Sequence, residues 1–194
     1  MMVKTVVREV PPVYLCCDTL ITAEDVASAS RFQNEARRRE HLAWRRVVRE
    51  ELGRDVQISY NEVGAPMVDR PDTWISVAHS QGVVAVAISN RKVGIDIESS
   101  ERDFERAKSR FMSHEEMTLS SHKHWAAYVW CAKEALYKLY GKRGVELRDE
   151  LRIESFDEIT RQMRCVLVGD ERRAVVKIDL CEGDMIVAVA TFDE

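Results

Sequence analysis

Three carboxylates and two lysines stand where they could do chemistry. In VGIDIE (93–98), Asp96 and Glu98 lie two residues apart on a run that reads as a strand. Both side chains then project from one face, while Ile95 and Ile97 turn the other way into a core. Neighbouring carboxylates repel each other unless a positive charge lies between them. A magnesium ion fits, because it prefers oxygen ligands and completes its octahedron with water and phosphate oxygens. The plainer account is a strand leaving the core into solvent. Further along, WCAKEALYKLYG (130–141) reads as a helix on which Trp130, Glu134 and Lys138 stack at four-residue steps, with Lys133 beside them. Glu134 would complete the metal set, and the lysines would supply positive charge for a phosphate. A solvated Glu–Lys pair is the ordinary alternative there.

Two further features extend the inventory. VAHSQG (77–82) reads as a turn between strands, from which His79 could donate to a phosphate oxygen with Ser80 beside it. Arg38, His41, Arg45 and Arg49 follow one another at three- and four-residue steps, a basic stripe of the kind that is usually a solvated helix face. No cysteine or serine stands out as a nucleophile. The set therefore suits metal-assisted phosphoryl transfer between two bound substrates.

The elements that must position these groups can be read from local signals. Runs at 3–10 and 13–17 read as short strands around Pro11 and Pro12. Thr22 with Asp25 caps a short helix, and a long helix runs from about Asn34 to Leu52 and stops at Gly53. Ala43, Trp44, Val47 and Val48 mark its buried face. Strands follow at 56–60, 74–78, 82–89 and 92–97. The apolar run GVVAVAIS predicts a central strand. Ser113 with Glu116 forms a capping box, and a second long helix spans about 124–140 before Gly141. Three or four strands fill 151–192. VVAVAIS (83–89) is echoed by IVAVATF (186–192), each after a long helix, which suggests two similar halves joined near residue 98.

Composition narrows the class. A chain of 194 residues can bury roughly 70% of its unfolded surface, so it needs no structural metal or disulfide to fold. The net charge of −4 argues against a general nucleic-acid binder. Five cysteines without CxxC spacing give neither a zinc signature nor a disulfide framework, and reduced thiols are expected. No apolar run approaches membrane-spanning length, and the N-terminal stretch lacks the apolar core of a signal peptide. The expectation is a cytoplasmic chain with no membrane or nucleic-acid partner.

The motifs, taken together, resemble those of the 4'-phosphopantetheinyl transferases, in particular the Sfp type with two similar halves in one chain. The resemblance rests on GAPMV, WISVAHS, VGIDIE, RFMSHEE and WCAKEALYK, which occur in the family's order between Gly64 and Lys138. It implies an α+β fold of two halves in a pseudo-twofold arrangement, each a mostly antiparallel sheet packed with a long helix. Residues 1–97 would form the half on the nucleotide side and carry the first metal carboxylate. Residues 98–194 would carry the catalytic helix 124–140, the two acting as one catalytic unit and, by default, as a monomer. The implied activity moves phosphopantetheine from coenzyme A to a serine of an acyl or peptidyl carrier protein, releasing 3',5'-ADP. Asp96, Glu98 and Glu134 would hold Mg²⁺, or Mn²⁺, against the diphosphate. Glu134, or a water it holds, would take the serine proton, and Lys138 would stabilise the diphosphate. Lys133 would assist at the same phosphates, His79 would contact the 3'-phosphate, and Arg38 and His41 would bind the nucleotide. Phe111 and Met112 would lie near the carrier-docking surface. Ala65 and Ala78 depart from the family's usual Lys and Ser, and this leaves a binding module for coenzyme A or a carrier as the alternative from another class. An unrelated metal-dependent hydrolase is disfavoured by the missing second acidic cluster.

Overall fold

Short-range signals begin and end the helices as the sequence dictates. The computed structural model describes residues 2–12 and 18–193, so the strand expected at 13–17 lies outside the described residues. The chain order is β1 (Val3–Glu9), α1 (Ala23–Ala29), α2 (Glu35–Leu52), β2 (Ile58–Tyr60), β3 (Pro66–Val68), β4 (Trp74–Ser80), β5 (Val83–Ser89) and β6 (Val93–Ser99). There follow α3 (His114–Met117), α4 (Trp125–Tyr140), β7 (Leu151–Asp157), β8 (Gln162–Leu167), β9 (Arg172–Cys181) and β10 (Met185–Phe192). Thr22 and Ser113 make reciprocal capping boxes with Asp25 and Glu116, and Asn34 caps α2. Gly141, left-handed at φ 65°, closes α4.

The strands form three antiparallel groups in the orders β1-β5-β4, β6-β10-β9-β8-β7, and the hairpin β2-β3. β5 is central to its sheet, as its apolar run predicts. Its alternation divides two cores. Val84 and Val86 pack under Trp44, Val47 and Val48 of α2, while Ala85 and Ala87 face the other way. There they meet Ile95 and Ile97 of β6 and Val187 of β10, so an apolar seam joins the two sheets. α4 covers the five-stranded sheet through Ala132, Leu136 and Leu139. The architecture is α+β, each sheet carrying one long helix. The boundary expected at 97/98 falls within β6, which pairs from Val93 to Ser99 with β10. The strand bearing Asp96 is thus part of the five-stranded sheet.

The basic stripe of α2 is not a solvated face. Arg45 and Arg49 are each only 3% exposed and share the Asp25 carboxylate of α1. Burial alone would raise the Asp25 carboxyl, but hydrogen bonds from Thr22 and Arg49 hold it below the usual range. His41 is buried as well. Its Nε2 lies 3.0 Å from Ser28 Oγ, and its ring sits between those of Phe32 and Trp44.

Candidate active site

The close approach of α4 to β6 builds the site. A Cβ on Gly94 would fall 1.9 Å from the carbonyl oxygen of Ala135 and 2.7 Å from the amide nitrogen of Leu139, so only glycine lets the helix backbone rest on the strand here. Asp96 and Glu98 leave the same face as Gly94, towards α4, and Ile95 and Ile97 enter the seam. β6 is also an edge strand, and its outward backbone groups need partners. Ile95 N–H donates to Ser76 Oγ of β4 at 3.1 Å, and Ile95 O accepts from Lys138 Nζ at 2.8 Å. The same ammonium donates to Asp96 Oδ1 at 2.9 Å.

Each carboxylate is held differently. Asp96 is 8% exposed, and its second oxygen is buried with no hydrogen-bond partner. Glu98 accepts from Ser80 Oγ at 2.9 Å and pairs through its other oxygen with Arg102. The Arg102 guanidinium in turn lies over the rings of Phe104 and Trp130. Glu134 is half-buried. Burial and then the negative charge of Asp96 raise its carboxyl above the usual range, with Lys138 opposing. Burial and the charges of Asp96 and Glu98 also push the Cys131 thiol well up, so it stays neutral beside them. The donor set is entirely hard oxygen, and one buried oxygen of Asp96 has no hydrogen-bond partner. These properties fit a hard divalent cation such as Mg²⁺. Among the described residues, no three His, Cys, Asp or Glu side chains are already gathered as a metal cluster. Lys138, Ser80 and Arg102 hold the carboxylates of Asp96 and Glu98 instead.

Other expected site residues lie elsewhere. Lys133 does not reach the phosphate side of α4. It is fully buried, 2.7 Å from Glu116 Oε2, and also donates to Arg148 O at 3.3 Å. The other oxygen of Glu116 accepts from Ile153 N at 2.8 Å. Lys133 thus ties α4 to α3 and β7. His41, packed between α1 and α2, is closed to a nucleotide, and Arg38 Nε donates to Phe32 O at 2.6 Å. Phe111 and Met112 are 1% and 2% exposed, so they belong to the core rather than to a docking surface. His79 lies on β4, before the turn that Gln81 and Gly82 make with positive φ. Its ring sits between Arg37 Nη1 at 2.8 Å and Glu40 Oε2 at 3.3 Å, and burial lowers its pKa. Sequence reasoning missed Arg37 and Arg102, whose contacts depend on chain folding, and it missed the bond from Ser80 to Glu98.

A cavity of ≈ 320 Å³ opens beside Lys138 along the seam. Its wall includes Gly64, Ala65, Pro66, Trp74, Ser76 and Tyr137, together with the cations Lys92, Lys138, Lys142 and Arg143. No carboxylate is among the described residues that line it. Such a mixture of apolar wall and positive charge suits an organic anion.

Fold and site together define an α+β protein in which Lys138 links the acidic strand β6 to a cationic cleft. The model of the 4'-phosphopantetheinyl transferase superfamily matches residues 92–190, and the chain belongs to that superfamily. Over 88 residues it is 39% identical to the 4'-phosphopantetheinyl transferase gsp of Aneurinibacillus migulanus. The matched stretch is 42% of this chain and 37% of that relative, so the chain spans little more than a third of the relative's length.

Proposed function

We propose that this protein transfers the 4'-phosphopantetheine group of coenzyme A to a serine hydroxyl of an acyl or peptidyl carrier protein, in a reaction that requires Mg²⁺. The observation that carries the reading is Lys138, which lines a cationic cavity and donates to Asp96 beside the Glu134 carboxyl, in a member of this superfamily. Asp96, Glu98 and Glu134 would hold the metal ion, which supplies neutralisation of the diphosphate charge. Glu134, whose carboxyl is raised above the usual range, takes the proton from the serine hydroxyl. The serine oxygen bonds to the phosphorus on the pantetheine side. The bond from that phosphorus to the bridging oxygen breaks, and 3',5'-ADP leaves with the electron pair. Lys138, pinned by Ile95 O and Asp96, stands ready to donate to the oxygen that gains charge. The cavity would take the nucleotide. Both walls of the site come from one chain, which supports action as a monomer, and reduced buried thiols suit the cytoplasm.

Intact-mass measurement of an apo carrier protein incubated with this protein, coenzyme A and Mg²⁺ tests the reading. The expected result is a gain of one phosphopantetheine mass that EDTA abolishes. No gain across fatty-acid and peptide-type carriers, with calorimetry still reporting coenzyme A binding, would replace the transferase by a binding module.

A further inference from the structure

The two carboxylates of β6 differ in what they can offer a cation. Asp96 gives Oδ1 to Lys138 and keeps a buried Oδ2 with no hydrogen-bond partner, so one of its oxygens can bind without rearrangement. Glu98 has both oxygens engaged. Its Oε2 accepts from Ser80 Oγ at 2.9 Å, and its Oε1 accepts from the Arg102 guanidinium. The Ser80 bond is neutral, and an oxygen that accepts it keeps a second lone pair for a metal. The Arg102 bond is different, because a guanidinium and a dication on one carboxylate stand as close like charges.

A turn after β6 brings Arg102 back over Glu98. Ser99 O accepts from Arg102 N at 3.2 Å, Ser99 Oγ accepts from Glu101 N at 3.2 Å, and Ser100 N donates to Asp184 O at 2.9 Å. The backbone of the turn is therefore fixed, whereas the side chain is held loosely. The Arg102 side chain is 52% exposed, against 14% for that of Glu98, so the guanidinium can swing into water while the carboxylate stays. Pairs this exposed bind weakly. The guanidinium also lies 5.0 Å from the centre of the Phe104 ring and 5.8 Å from that of Trp130. Its charge reaches Glu134 too, opposing the burial and the Asp96 charge that raise that carboxyl.

Resting on the metal-dependent transferase reading, we propose that Arg102 is a built-in counter-ion that competes with the divalent cation for Glu98, and that metal loading drives its guanidinium off both Glu98 and the Trp130 ring. Lys138 need not move, because the Asp96 oxygen it holds is not the unpartnered one. The exchange keeps β6 neutralised throughout, with Arg102 offsetting Glu98 until the cation does so. It also sets the metal affinity below what the carboxylates would give alone, so Arg102 fixes the cation concentration at which the site fills.

Electron paramagnetic resonance of free Mn²⁺, titrated into the whole protein without coenzyme A, reads metal affinity apart from turnover. Arg102→Met should bind Mn²⁺ about three- to thirtyfold more tightly than wild type, the range for an exposed ion pair with a cation–π contact. Arg102→Lys keeps the charge but gives up the planar stack, and should fall between the two. Arg106→Met removes a neighbouring exposed charge that pairs with Asp103, and should stay within about twofold of wild type. That control separates release of Glu98 from a general change in net charge. Mg²⁺ should also change the tryptophan emission of wild type, and the change should vanish in Arg102→Met and in Trp130→Phe. Unchanged or weaker Mn²⁺ binding by Arg102→Met, equal tightening by Arg106→Met, or an emission change that persists in Arg102→Met overturns the competition and leaves the transferase reading standing. No Mn²⁺ bound by either protein at millimolar concentration overturns it as well, and the transferase reading falls with it only if no carrier gains mass.

Discussion

Lys133→Met separates a phosphate-binding lysine from a structural one. In the fold, Lys133 and Glu116 are both fully buried, 2.7 Å apart, with Glu116 also accepting from Ser113 N and Ile153 N at 2.8 Å each. Removing the ammonium strands a carboxylate in the core, and breaking a buried pair this way costs about 3–5 kcal/mol. For a domain of this size each kcal/mol corresponds to about 2–4 °C, so the melting temperature should fall by roughly 6–20 °C. Glu116→Gln added to Lys133→Met removes the stranded charge and should recover a substantial part of that loss. Thermal melting by circular dichroism reads both effects. Transfer kinetics measured well below the transition should show a KM for coenzyme A within about threefold of wild type. A variant that melts within 2 °C of wild type while its KM rises tenfold or more would refute the reasoning and return Lys133 to the phosphates.

Other expectations follow from the same contacts. Glu134→Gln removes the base and should lower kcat by about 10²–10⁴-fold with the fold intact, read by carrier mass gain against time. Activity within a few-fold of wild type would rule Glu134 out. Gly94→Ala drives a methyl into the backbone of α4, so it should cost about 1–3 kcal/mol or more and displace Glu134, with loss of both melting temperature and activity. A wild-type-like variant would mean that α4 does not rest on β6. His41 is held at about 4, against an ordinary 6.5, by burial first and then by Arg45, with Asp25 opposing. The unfolded chain therefore binds this proton more readily than the folded one. Stability is complete above about 6.5 and declines as pH falls towards 4, by about 3 kcal/mol in all. Denaturation midpoints of His41→Gln should lose that part of the acid dependence; an unchanged slope would show that His41 titrates freely.

What the sequence disclosed, and what it hid, depends on the range of the interaction. Helix ends were legible because Thr22, Asn34, Ser113 and Gly141 act on backbone groups within a turn of themselves. That Asp96 shares a face with Glu98, and Glu134 with Lys138, was legible because period alone sets it. The environment of Arg45 and Arg49 was not, because the carboxylate that buries them, Asp25, comes from another helix. Lys133 was misread for the same reason. One helical step separates it from Glu134, yet Glu116 draws it to the opposite side. His79 was placed in a turn because Gly82 signals one, but the strand pairing continues through Ser80. The membership of β6 in the second sheet depends on a partner, β10, nearly a hundred residues away in the chain.

The bond from Lys138 to Ile95 O has a meaning apart from transfer chemistry. A strand at the border of a sheet with free amide and carbonyl groups is a template on which another chain can add itself. In β6 the carbonyl of Ile95 is covered by Lys138 and its amide by Ser76, and a lysine's charge also repels an incoming strand. The residue proposed to meet the diphosphate therefore also covers an open strand edge, so a substitution at position 138 is expected to lower solubility as well as turnover.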